Sequence, residues 1–125
     1  MDTLRVALVQ SELVWEDAQA NTELFDRLLA PLTDVDLIVL PEMFNSGFSM
    51  TPQRFAESMD GQSIAWMRQT ATRLGSAVCG SLAVREGEHF ANRFVFAHPD
   101  GALDCYDKRH CFRMSGEHEI YRAGE

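Results

Sequence analysis

A chain of 125 residues, 46% hydrophobic and 24% charged, has the size and make-up of one small globular domain. Nineteen acidic against eleven basic side chains give a formal charge of −8, so the basic surface that a nucleic acid or an anionic membrane needs is missing, and neither is expected as a partner. No apolar run approaches the ~20 residues of a membrane span. MDTLRVALVQ has no basic-then-apolar leader, and Cys79, Cys105 and Cys111 show no metal spacing. The chain therefore reads as cytoplasmic, with neither metal nor organic cofactor.

The segment 4–10, LRVALVQ, is rich in aliphatic and β-branched residues and predicts a strand. From Asp17 to Ala30 the spacing turns helical, with Leu24, Phe25, Leu28 and Leu29 on one face and Pro31 closing the segment. DLIVL (36–40) is continuously apolar, as a strand buried on both faces would be. Strand, helix and strand in this order predict a βαβ unit with a parallel pair. Residues 41–59 read as a loop, and such loops at the carboxyl ends of parallel strands are where α/β proteins place their chemistry.

A second helix is expected from Gly61 to Leu74, with Ile64, Met67, Ala71 and Leu74 at helical spacing, Asp60 as its cap and Gly75 at its end. Residues 76–86, 89–98 and 102–106 predict an antiparallel meander, its turns at EGEH and PDG. The tail from Lys108 to Glu125 has weak periodicity and reads as loop with a short helical turn.

Two islands carry chemistry. In LPEMFNSGF, Glu42 directly follows the apolar run; packed among Pro41, Met43, Phe44 and Phe48 it would be partly desolvated, which makes a carboxylate a better base. In YDKRH lies Lys108, the single lysine of the chain. An ammonium offers a compact charge with three rotatable donors, suited to holding an oxyanion. A carboxylate and an ammonium at the ends of two strands fit acyl-transfer chemistry, the acid taking a proton from a nucleophile. Each also has a plain reading as a solvated charge at a strand end.

LPEMFNSGFS and YDKRHCFRMSGEHEIYRAG together resemble the carbon-nitrogen hydrolase (nitrilase) superfamily, in particular its omega-amidase-like branch, and the order of elements matches from the first strand onward. The resemblance implies the N-terminal half of an αββα sandwich, two sheets face to face with helices outside. It implies Glu42 as general base of a Glu–Lys–Cys triad, Lys108 as the stabiliser of the tetrahedral intermediate, and Glu117, seven residues before Gly124, as a second glutamate that orders the pair. The substrate implied is the terminal amide of a small 2-oxo acid such as 2-oxoglutaramate or 2-oxosuccinamate, and the assembly a homodimer.

In that family the nucleophilic cysteine follows a later apolar strand, in a motif of the form CYDxRFP. Residues 105–110, CYDKRH, imitate it, but no lysine lies upstream and the aromatic-proline pair is absent. Cys105 alternates with Leu103 and is expected to pack within its strand, Cys79 to lie in the core, and Cys111 to stand where the family has an apolar residue. Residues 1–125 are therefore expected to be a partial domain that stops before its nucleophile, leaving an apolar sheet face and strand edges open to water.

Overall fold

A computed structural model describes residues 2–125. Strands β1 (Val6–Leu8), β2 (Leu37–Val39), β3 (Ala77–Glu86), β4 (His89–Ala97) and β5 (Leu103–Asp107) form one sheet in that spatial order. The pairs β1–β2 and β2–β3 are parallel; β3–β4 and β4–β5 are antiparallel. Helices α1 (Ala18–Leu29) and α2 (Gln62–Leu74) make the two parallel crossovers, and a one-turn helix α3 (Glu117–Ile120) lies in the tail. The class is mixed α/β, with the βαβ start and the closing meander that the pattern predicts. β1 is shorter than the seven-residue apolar run suggests.

Asp17 caps α1 by accepting from the Ala20 N–H at 3.0 Å. Phe25 and Leu29, one turn apart, are buried, but Leu28 is 43% exposed, so the inward stripe is narrower than the leucine pattern indicates. At α2 the expected Asp60 cap is not formed. The carboxylate there belongs to Glu57, which accepts from the Ser63 N–H at 2.8 Å and from its hydroxyl at 2.6 Å. Glu57 reaches the helix start because its backbone runs beside β3, bonding Ala83 and Arg85, a placement no local pattern encodes. Gly61 is required at this point, since a Cβ would lie 2.5 Å from the Glu57 carboxylate. Gly75, left-handed at φ 63°, ends the helix as expected.

Strand alternation sorts the apolar residues between two faces. Ile38, Val78, Leu82, Val84 and Val95 turn toward the helices and close a core with Phe25, Leu29, Ile64 and Met67. Burying each such side chain contributes on the order of 1.5–3 kcal/mol. Val6, Leu8, Phe94 and Tyr106 turn the other way; Leu8 is 76% and Tyr106 55% exposed. Both helices pack on one side, so β2 is not buried on both faces as its composition suggested: Ile38 is enclosed, whereas Leu37 and Val39 are half-buried. The open side is apolar, as expected of one sheet from a two-sheet sandwich, and β1 and β5 are its unpaired edges.

Candidate active site

Three segments bring charge to one end of the open face. β2 delivers the first: the Leu40 N–H still bonds the Cys79 carbonyl, and the next turn hangs on Ser81 of β3. The Ser81 hydroxyl accepts from the Met43 N–H at 3.0 Å, and its carbonyl from the Phe44 N–H at 3.0 Å. Met43 takes a left-handed φ of 54°, a conformation that costs a side-chain-bearing residue about 1–2 kcal/mol. The bend sends Met43 and Phe44 into the interior and leaves Glu42 pointing out. Lys108 directly follows β5, its N–H bonded to the Asn92 carbonyl, and alternation places it on the same face as Tyr106. Glu117 opens α3 in the tail. That tail is pinned by Tyr121, whose hydroxyl donates to the Ser49 carbonyl at 2.7 Å and whose ring packs with Met43 and Ala83.

The three meet. The Lys108 ammonium lies 2.9 Å from Glu42 Oε2 and 3.0 Å from Glu117 Oε1. Asn92 of β4, buried, donates through Nδ2 to Glu42 Oε2 at 2.8 Å and to Glu117 Oε2 at 3.0 Å. With two acceptor-only carboxylates as neighbours, the amide nitrogen must be the atom that faces them. The Phe112 N–H donates to Glu117 Oε1, and the Phe48 ring centroid sits 5.3 Å from the ammonium. Glu42 Oε2 and both Glu117 oxygens are thus committed. Glu42 Oε1 has no hydrogen bond among the described residues, and of the three ammonium hydrogens two are used. One basic oxygen and one N–H donor remain available side by side.

Burial pushes the Glu117 carboxyl up, but the Phe112 N–H, the Asn92 amide and the Lys108 ammonium outweigh it and hold it below the ordinary glutamate range. For Lys108, burial acts downward; the hydrogen bonds and charges of Glu42 and Glu117 overcome it and hold the ammonium above its usual value. The lysine is therefore firmly protonated, a donor and not a base.

One expectation about the cluster needs correction. Glu42 is not packed among Pro41, Met43 and Phe44; its side chain is 47% exposed because its neighbours turn inward at the Met43 bend. The fully buried acid is Glu117, the second glutamate expected beside the pair. Asn92, Ser81 and the partnership of Phe48 with Lys108 were not read from the sequence.

Cys79 is buried and its thiol raised by desolvation, in keeping with a core role. Cys105 does not pack within its strand as expected: it is exposed on the edge strand, opposite Val95 and so on the face away from Glu42. Cys111 is half-buried against the Met43–Tyr121 cluster, its Sγ 3.9 and 3.8 Å from the Lys108 and Tyr121 carbonyls. Burial and then Glu117 push that thiol up, the reverse of nucleophile activation. Among the described residues, no helix is long and apolar enough to cross a membrane.

The carbon-nitrogen hydrolase family profile matches residues 5–125, and the chain belongs to that family. It is 45% identical over 125 residues to the omega-amidase YafV of Yersinia enterocolitica, covering 100% of this chain and 48% of the relative. It is 33% identical over 92 residues to the 2-oxoglutaramate amidase of Bacillus subtilis (strain 168), covering 71% of this chain and 36% of that protein. Among solved structures, XC1258 from Xanthomonas campestris, a CN-hydrolase superfamily protein with an arsenic adduct in its active site, superposes with a TM-score of 0.95 at 47% identity. The match covers 100% of this chain and 48% of that one, so the chain spans about half the length of these relatives. The fold is that of the nitrilase superfamily's α/β proteins, and the chain represents its N-terminal half.

Proposed function

We propose that the protein carrying this chain is an amidase that hydrolyses the terminal amide of small 2-oxo acid ω-amides, of the 2-oxoglutaramate or 2-oxosuccinamate type. The observation that carries the reading is the junction of Glu42, Lys108 and Glu117, with contacts of 2.9 and 3.0 Å, on an open sheet face. The names of the relatives at 45% and 33% identity favour the same substrate class. Residues 1–125 act as the first half of an αββα sandwich. The second half supplies the covering sheet and the nucleophilic cysteine, and the whole works as a cytoplasmic homodimer.

In this mechanism Glu42 Oε1 takes the proton of the cysteine thiol, whose ordinary pKa of about 8.5 leaves it mostly protonated at neutral pH. The thiolate attacks the amide carbon, and the unused Lys108 N–H bonds the oxyanion that forms. Collapse of the tetrahedral intermediate breaks the C–N bond; the leaving nitrogen takes the proton from Glu42 and departs as ammonia. Glu42 then removes a proton from water, which attacks the thioester. A second tetrahedral intermediate, held by the same ammonium, collapses to the free acid, and the proton returns to the cysteine sulfur. Asn92 and Glu117 keep the base and the ammonium in register throughout.

Glu42→Gln and Lys108→Met in the full-length protein are expected to abolish ammonia release while leaving the cooperative unfolding transition in place. Near-normal turnover by either variant rejects the assigned roles. A panel of ω-amides, carbamoyl-amino acids and nitriles separates this substrate class from others in the superfamily. The exposed apolar face, with Leu8 and Tyr106 more than half exposed, favours one further reading: a non-catalytic dimerisation or binding module made of these residues alone. A soluble 125-residue chain that melts cooperatively and shows no amidase activity would support the module, and aggregation of the isolated chain would count against it.

A further inference from the structure

We propose that Arg113 forms an anion subsite that takes the substrate's carboxylate, an inference that rests on the amidase reading and extends it to substrate selection. Glu42, Phe48, Lys108, His110, Phe112 and Arg113 line an open groove of about 670 Å³. Two carboxylates, Glu42 and Glu117, share the one Lys108 ammonium, which leaves one uncompensated negative charge. A 2-oxo acid ω-amide brings a carboxylate of its own. Lys108 is already divided between Glu42 and Glu117, so the incoming anion needs a second cation in the groove to offset like-charge repulsion.

Arg113 is placed to supply it. It is the arginine among the groove's lining residues, and no carboxylate lies within 4.0 Å of its guanidinium among the described residues. Its backbone is held in a 3-10 turn over Arg113–Ser115, closed by the Gly116 N–H on the Arg113 carbonyl at 3.1 Å and by the Ser115 hydroxyl on the Phe112 carbonyl at 3.0 Å. The preceding amide, Phe112 N–H, bonds Glu117 Oε1, the same oxygen that holds the Lys108 ammonium. One buried carboxylate therefore fixes both the proposed oxyanion donor and the turn that carries the guanidinium. Phe48 lines the groove together with Lys108 and gives the substrate methylenes an apolar wall. A planar guanidinium matches a carboxylate with two parallel donors, and its presence in the groove that holds Glu42 and Lys108 favours a substrate that carries both an anion and an amide.

The test uses the full-length protein, Arg113→Ala and Arg113→Lys. Binding of 2-oxoglutarate is measured by titration calorimetry, and kinetics are measured on 2-oxoglutaramate and on the uncharged butyramide. Losing one charge-assisted contact is expected to weaken 2-oxoglutarate binding and raise KM for 2-oxoglutaramate by about ten- to a hundredfold. Butyramide hydrolysis is left unaffected, and the lysine variant recovers part of the loss. Equal effects on both amides, no effect on either, or native protein that does not bind 2-oxoglutarate overturns the subsite. Should native protein bind 2-oxoglutarate and Arg113→Ala lose it while no amide of the panel releases ammonia, the amidase reading falls and the anion subsite stands.

Discussion

Glu117 is the residue whose removal most directly tests how the charged cluster is held. Its carboxylate is fully buried and accepts from three donors: the Lys108 ammonium, the Asn92 amide and the Phe112 N–H. Hydrogen bonds to a charged group contribute about 1.5–3 kcal/mol each, so a simple sum for three reaches about 5–9 kcal/mol. That sum overshoots, because Lys108 and Asn92 keep Glu42 as a partner and the lysine side chain, 29% exposed, can rehydrate. Breaking a buried pair by removing one member costs about 3–5 kcal/mol, and this is the expected loss for Glu117→Ala.

Glu117→Gln keeps the shape and one carbonyl acceptor, but turns an NH₂ toward the Asn92 NH₂, so about 1–3 kcal/mol is expected. The assay is chemical unfolding of the full-length protein across pH. The Glu117 carboxyl is held low in the folded state, so its stabilisation is present above the ordinary glutamate range and is lost as pH falls through the folded value. The gap between native protein and Glu117→Gln should therefore be widest near neutrality and close in acid. Lys108, held high, contributes below the ordinary lysine range and loses that contribution only in strong alkali, so part of the gap closes there as well. A glutamine variant as stable as the native protein at pH 7, or a gap that widens in acid, refutes the reasoning.

Asn92→Ala leaves the carboxylates without their shared amide and is expected to lower kcat about ten- to a hundredfold by loosening the base. Asn92→Asp should be the less stable of the two variants at pH 7, since three carboxylates would then converge; the opposite order in thermal unfolding rejects the bridging role. Cys105→Ser should keep turnover within about twofold, as expected for an exposed edge-strand position, and Cys105 should be the first of the chain's three thiols to alkylate. Inactivity of the serine variant would instead mark Cys105 as the nucleophile. Gly124→Ala would place a Cβ 2.3 Å from the Asp107 carbonyl, next to Lys108, whose own carbonyl takes the Gly124 N–H. Overpacking of about 1–3 kcal/mol and reduced kcat are expected, read by unfolding and ammonia release.

Periodicity and punctuation in the sequence determined the element order. The runs around Ile38 and Val78, the helical spacing of Ile64, Met67 and Ala71, and the turns at Gly87 and Gly101 each report a local preference that the fold keeps. Glu42 was legible because it follows an apolar strand, where a charged side chain stands out, and Lys108 because it is the single lysine of the chain. Local pattern also says that alternate residues of β4 share a face, but not what that face meets.

The register of β4 against β3 and β5 brings Asn92 beside the two glutamates, and the docking of the tail through Tyr121 buries Glu117. The Met43 bend exposes Glu42, the path of residue 57 along β3 replaces Asp60 at the helix cap, and the edge position of β5 exposes Cys105. Each of these depends on which segments are neighbours across tens of residues. Burial and partnership are properties of that packing, and only the tertiary structure decides them.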